Sequence, residues 1–368
     1  MSIILSKEIL GRHLDTVEKA LSRKSPLQYL DNILCEIDSQ KITLSTTNLE
    51  QSIKVSLPYQ GEASGKVLLP SKIIEIVRYL PESEVVFNLN PDNLQIDLSS
   101  GKAKYHLSGA NPADFPPVEK VLPENAEKIT ITTSDLREIL KMVVFAASTE
   151  ETRPAFNGVL FDFNVNHWGL VSSDTYRLVV NNIINESWNF TPQRCLVPAK
   201  ALRELLKILE HGDEQIVMFP MNDQLIFNFG TVYFAARLLN EKYPDISSVI
   251  PERYSTRLII NRSDMAETVA RAALLAEGPN NAIHLSVVNS SLAVRVSSQI
   301  GRMEEVLSAE YEGEEVDLYV NSRFIMDIVR VLSTKKMVID FHGKTGPVIF
   351  RLPENHSYLY LVLPIKMN

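Results

Sequence analysis

Cysteine is nearly absent: Cys35 and Cys195 are the only two in 368 residues. They stand far apart and outside any C-x-x-C pattern, which excludes a disulfide framework and a cysteine-based zinc cluster and fits a reducing interior. Long apolar runs are missing as well. No window approaches the roughly 18 apolar residues of a membrane span. The first residues, "MSIILSKEIL", lack the basic start and long apolar core of a signal peptide. The expectation is a cytoplasmic protein with no membrane partner.

Catalytic signatures are absent too. There is no G-x-G-x-x-G, P-loop, H-E-x-x-H or G-x-S-x-G. The seven histidines are scattered, none four residues from another. Asp174 in "SSDTYRL" reads as a turn-capping aspartate. The pairs Glu150-Glu151 and Glu304-Glu305 read as solvent-facing charge. The sequence offers no active site, no metal site and no cofactor site, so the chain is expected not to be an enzyme.

What remains is ordinary globular composition, 45% hydrophobic and 22% charged, with enough chain for two or three domains. The formal net charge of −8 argues against a molecule that binds polyanions all over. It leaves room for a local basic surface, because binding follows the local field.

The positive signal is repetition. "IILSKEILGRHLDTVEKAL", "ITITTSDLREILKMVVFAAS" and "LIINRSDMAETVARAALLA" begin at residues 3, 129 and 258. Each is a short β-rich run, a serine next to a charged residue, then a helical pattern. Ser134 and Ser263 are the expected N-caps, each beside an acid at the positive helix end. A second strand-to-helix unit recurs as "LLPSKIIEIVRYL" from 68, "LVPAKALRELLKIL" from 196 and "LYVNSRFIMDIVRVL" from 318. Alternating strands follow each helix, and proline-rich linkers lie near 120 and 252. Each copy is two β-α-β-β-β halves, so the class is α+β with largely antiparallel sheets. The boundaries read 1–122, 128–252 and 256–368.

The repeated helices carry basic stripes. In "LVPAKALRELLKIL", Lys200, Arg203 and Lys207 fall opposite Leu202, Leu205, Leu206 and Leu209. Arg323 and Arg330 share a face in the third copy, while Lys72 and Arg78 are less well aligned in the first. The first helices add Arg23, Arg137, Lys141 and Arg271, with acids interleaved. If the copies are arranged symmetrically, these faces form one surface that attracts phosphates by counterion release without reading bases. No helix-turn-helix, zinc finger or RNP motif is present to read them.

The triplicated unit, "ADFP" at 113, "RPAFNGVLF" at 153, "SSDTYRLVV" at 172, "YPD" at 243 and the terminal "YLVLPIK" resemble the bacterial DNA polymerase III beta subunits, the replicative sliding clamps. The resemblance runs through the whole chain in order. It implies three clamp domains closing as a head-to-tail homodimer ring, with helices inside, sheets outside and double-stranded DNA threaded through the hole. The chain would be a non-catalytic, cofactor-free subunit of the polymerase holoenzyme. The competing reading is a scaffold of the same fold that does not encircle DNA.

The resemblance also implies sites. A pocket for short linear peptides would be lined by Arg153, Phe156, Ser173, Thr175, Tyr176, Arg177, Leu178, Pro244 and Val249. Asn321, Phe324, Leu361, Leu363, Pro364 and Ile365 would complete it. Its ligands would be the polymerase alpha subunit, the clamp-loader delta subunit, and other polymerases and repair proteins. Arg23, Lys72, Arg137, Lys141, Lys200, Arg203, Lys207 and Arg323 would face DNA. Tyr105 and Leu107 would meet the partner copy's Leu274 and Leu275 at the ring seam. The chain departs from the family's pattern in four places. Thr175-Tyr176 stand where Gly-His is common and Ser248 where a basic residue is common. Glu150-Glu151 replace polar residues, and Pro154-Ala155 replace aromatic ones.

Overall fold

The computed structural model describes residues 2–22, 25–90, 93–150, 152–209, 213–278, 280–288, 290–355 and 357–366. Among the described residues six α-helices punctuate a chain built mainly of strands: α1 (Lys7–Val17), α2 (Ile73–Tyr79), α3 (Thr133–Val144), α4 (Ala199–Ile208), α5 (Arg262–Ala273) and α6 (Ser322–Val331). Two helices thus fall in each of the three copies, as the repeat implies.

Each helix forms where apolar residues recur at 3 and 4 residue steps and one face can be buried. In α4 that face is Ala201, Leu202 and Leu205, and in α6 it is Ile325, Ile328 and Val329. Leu206, expected inside, is only half-buried. A Leu or Ile taken wholly out of water contributes about 1.5–3 kcal/mol, so these stripes outweigh weak local propensity.

The helix starts correct the expected caps. Thr132 accepts the Asp135 amide at 3.0 Å, and Asn261 accepts the Ser263 amide at 3.1 Å. Ser134 and Ser263 lie inside the helices; Ser134 donates instead to Asp213 and Ser263 to Asn261. A capping residue must have an extended backbone, as Asn261 does, so the last strand residue takes the role.

The strands form four antiparallel sheets. Two have four strands: 2–6, 84–90, 95–100 and 103–108 in one; 301–308, 291–298, 282–288 and 316–321 in the other. An eight-stranded sheet runs from 65–70 to 129–132, and its middle is the pairing of Gln51–Pro58 with Val232–Arg237. A seven-stranded sheet joins Arg177–Pro198 to Tyr358–Val362 in the same way. Both wide sheets therefore pair strands from different sequence copies.

The chain divides into two compact units: Met1–Arg137 with Ala201–Leu238, and Glu138–Lys200 with Leu239–Asn368. In the first, α1 packs beside α2 and against the strands that bury Ile53, Val55 and Leu44. In the second, α5 packs beside α6, and an aromatic group of Phe161, Phe163, Trp168 and Phe190 fills the long hairpin 158–198. Asp340, buried in the seven-stranded sheet, binds Arg257 at 2.6 and 2.8 Å and Arg351 at 3.2 Å.

Candidate functional site

In the second unit an apolar cluster gathers Leu160, Leu178, Tyr243, Ile349 and Leu361, with Phe156 packed against it. Phe156 meets Tyr243 edge-on at 5.7 Å between ring centroids. Period-2 alternation puts Leu178 and Leu361 opposite each other on paired strands, so residues far apart in sequence share one face. Around this floor Tyr176, Val249 and Leu363 stay 63%, 53% and 44% exposed. Exposed large apolar side chains grouped beside a buried apolar cluster mark a binding surface.

The turn between the two hairpin strands sets the rim. Asp174 accepts the amides of Tyr176 and Arg177, each at 3.0 Å, so it is the turn-capping aspartate its sequence context suggests. Ser173 Oγ accepts the Thr175 amide at 3.0 Å and donates to the Arg177 carbonyl at 2.7 Å. Thr175 is left with φ of 78°. Its hydroxyl accepts a hydrogen bond from Arg153 Nη1 at 2.9 Å. The C-terminal segment lies alongside: the Leu363 amide donates to the Tyr176 carbonyl at 2.9 Å, and the Ile365 amide to the Tyr319 carbonyl at 2.7 Å. Pro244 is exposed and Pro364 half-buried.

Arg177 is not a rim residue. Its side chain is 12% exposed and pairs with Asp174 at 2.9 Å and with Asp327. It also donates to the Phe145 carbonyl at 2.9 Å and lies over the Phe324 ring at 4.6 Å. Burial works against its charge, but Tyr360 and the two aspartates outweigh that and raise its pKa. Tyr360 in turn donates to the Phe324 carbonyl at 3.1 Å. Asn321 caps α6 by accepting the Arg323 amide at 3.0 Å. Arg177 and Ser173 thus hold the turn and Asn321 the start of α6. Phe156, Leu178 and Leu361 belong to the apolar floor, beside which Arg153, Tyr176, Val249 and Leu363 are exposed and Thr175 is half-buried.

Two residues were not singled out as lining from sequence. Tyr243 belongs to the floor, and among the described residues its hydroxyl is buried without a partner. Burial pushes its pKa up. "YPD" pointed to the right neighbourhood but not to the ring. Asp327 was visible only as an acid interrupting a basic stripe.

The basic helices are less cationic than their stripes suggest. Lys72 pairs with Glu75, Lys141 with Glu138 at 3.2 Å and Lys207 with Glu204 at 2.8 Å, each one helical turn away. Arg12 does the same with Glu8 at 2.9 Å. Arg78 is held by Asp15 on α1 and by Glu18 just after it, each at 2.6 Å. Lys200 and Arg323 are exposed and have no ion pair among the described residues. Both are the second residue of their helices, and Lys72 immediately precedes α2. A cation there opposes the helix dipole and adds to its positive end. Arg137 and Arg203 are half-buried. Arg23 and Glu151 lie outside the described residues.

Glu304 faces solvent as expected and Glu305 is half-buried, and both are paired. Glu304 pairs with Arg295 at 2.7 Å across the sheet, and Glu305 binds Arg271 at 2.6 Å and Thr268 at 2.9 Å. Strand register places Arg295 opposite Glu304, and α5 covers Glu305. At the expected seam, Tyr105 and Leu107 lie half-buried on Ala103–Ser108, the edge strand of its sheet. Leu274 is 80% exposed beyond α5, with Leu275 half-buried. Among the described residues no His, Cys, Asp and Glu group could hold a metal.

Comparison with known proteins gives a consistent result along the whole chain. Models of the DNA polymerase III beta subunit match in three parts: the N-terminal domain over residues 1–119, the central domain over 130–245 and the C-terminal domain over 247–366. The beta sliding clamp of Staphylococcus epidermidis is 31% identical, covering 100% of this chain and 99% of its own. That of Staphylococcus aureus is 29% identical with the same coverage. Among solved structures, the DNA polymerase sliding clamp of Bacillus subtilis superposes with a TM-score of 0.93 at 27% identity over the full length of both chains.

Proposed function

From the premise that the chain belongs to the DNA polymerase III beta subunit family, the sliding clamps, we propose how its residues divide the work. The protein is a non-catalytic processivity factor: it keeps a replicative polymerase on DNA. In our reading two copies close head to tail around duplex DNA in the cytoplasm, each contributing three domains with bounds near 1–122, 128–252 and 256–368. The observation that carries this reading is the full-length, three-part match to clamp domains.

The edge strand with Tyr105 and Leu107 meets the other copy near Leu274 and Leu275. Such edges are otherwise unsatisfied templates for pairing. The DNA-facing role falls first on Lys200 and Arg323, whose charge is least offset, and then on Lys72, Arg137, Lys141, Arg203, Lys207 and Arg23. Attraction of this kind holds a duplex without fixing its register, which is what sliding requires. The pocket around Phe156, Leu178 and Leu361 takes short apolar peptides from the polymerase alpha subunit, the clamp-loader delta subunit and repair proteins.

Retention on DNA tests the reading. After loading, the protein stays on a nicked circle and is lost from a linear duplex of the same length. Equal loss from both, or a strict monomer in sedimentation, overturns encirclement.

A further inference from the structure

We propose that Thr175 is a positioning residue for the partner pocket: it holds the Arg153 guanidinium at the rim, ready for an oxygen of an incoming apolar peptide. This rests on the reading of that pocket as the partner site. Thr175 has φ of 78°, in the left-handed region that disfavours β-branched side chains and is usually given to glycine. The rest of the turn does not call for threonine. Its other hydrogen bonds run through Ser173, Asp174 and backbone amides, all of which glycine would keep. What glycine would lose is the Oγ1 that accepts Arg153 Nη1 at 2.9 Å. A strained residue tied to a single contact is a pattern of sites where geometry serves binding.

The contact joins two segments of the pocket. Arg153 precedes the single turn Pro154–Asn157, which carries Phe156 onto the apolar cluster. Thr175 stands three residues before Leu178 of the same cluster. Arg153 is exposed, and among the described residues no carboxylate pairs with it. Asp174, the nearest acid in sequence to Thr175, is engaged by Arg177. A guanidinium has five N–H donors, so the bond to Thr175 leaves others for a ligand. A peptide lying on Phe156 and Leu178 loses water from its carbonyl and side-chain oxygens, and a guanidinium already in place can replace that water. Holding a long, flexible arginine in advance lowers the ordering that binding would otherwise require.

A double-mutant cycle tests this. The probe is a fluorescently labelled synthetic peptide with two leucines and one phenylalanine as anchors, read by anisotropy against the full-length protein. Thr175→Gly and Arg153→Ala are each expected to weaken binding about fivefold, and the double variant no further than Arg153→Ala alone. Thr175→Gly is expected not to lower Tm, since glycine fits the turn. Fully additive losses, or wild-type affinity in Thr175→Gly, overturn the proposal. A loss of affinity with a parallel fall in Tm also overturns it, by making Thr175 structural. If the wild-type protein fails to bind the peptide at all, the pocket reading itself falls and takes this proposal with it.

Discussion

On or beside the helices, Arg12, Lys72, Lys141 and Lys207 each meet a carboxylate one turn away; Arg153 meets a hydroxyl and, among the described residues, no carboxylate. The pocket's second arginine, Arg177, is different again, buried between two aspartates and two aromatic rings. A positive charge thus meets three kinds of surroundings. Paired cations on an exposed helix keep local field low, which suits a surface that must not grip. An exposed arginine bound to a neutral oxygen keeps its charge unoffset. A buried arginine fixed by carboxylates shapes the walls. Charge counted along the sequence does not separate these cases, but the partner of each cation does.

The sharpest way to break this division is at Arg177. Arg177→Ala leaves Asp174 and Asp327 without their cation and empties the space over Phe324. Removing one partner of a buried, hydrogen-bonded pair costs about 3–5 kcal/mol, so urea denaturation should show a large loss of stability. Peptide binding should fall with it, because the turn that carries Thr175 and Tyr176 is pinned through Asp174. A variant of near wild-type stability would mean that Arg177 belongs to the ligand surface and not to the frame.

A smaller effect separates the helix cations from one another. Lys200→Ala should reduce the slope of log K against log [salt] for duplex DNA by about 0.9, the value for one released counterion. Lys207→Ala should reduce it by less, because Glu204 already offsets that charge. Glu204→Gln should raise affinity and restore the difference. Salt titrations of the three variants on one duplex decide the matter, and equal slopes for Lys200→Ala and Lys207→Ala would show that intrahelical pairing leaves the field unchanged.

The helices were readable because their signal is local. Leu202 and Leu205 recur at helical spacing, and the three copies of the unit repeat it. The basic stripes were equally visible, and so were Glu75, Glu138 and Glu204. Whether an acid one turn away offsets a lysine depends on rotamers, which spacing does not specify. Each corrected cap lies two residues before the expected one for a related reason: whether Thr132 or Ser134 is extended depends on where the preceding strand ends. The pocket was not readable from periodicity at all. Leu178 and Leu361 face each other through strand pairing across the chain, and Asp327 lies 150 residues from the arginine it holds. Leu178 and Leu361 come from the family resemblance, which also supplies Phe156 and the rim but not Asp327. It could not supply Tyr243's place in the floor, nor the bond between Thr175 and Arg153 that follows from this chain's own departure.

The smallest expected effect concerns the two cysteines, which extend the contrast to buried groups held in no disulfide among the described residues. Burial pushes the Cys35 thiol up to about 12, helped by Glu36, and the Cys195 thiol to about 11, above the ordinary 9.0. A thiol whose folded pKa is raised is protonated more readily in the folded state. Its contribution to stability is therefore complete below pH 9 and declines as pH rises toward 11 and 12. Both thiols should resist a disulfide reagent at pH 8 in the native protein and react fully once it is unfolded in urea, since only the thiolate attacks. Thermal melts between pH 8 and 10.5 should show the onset of this loss, and Cys35→Ser should flatten only part of it. Rapid native-state labelling of either thiol would show that the strands around it open more readily than a well-packed sheet allows, and would weaken the distinction between its rigid frame and its adaptable rim.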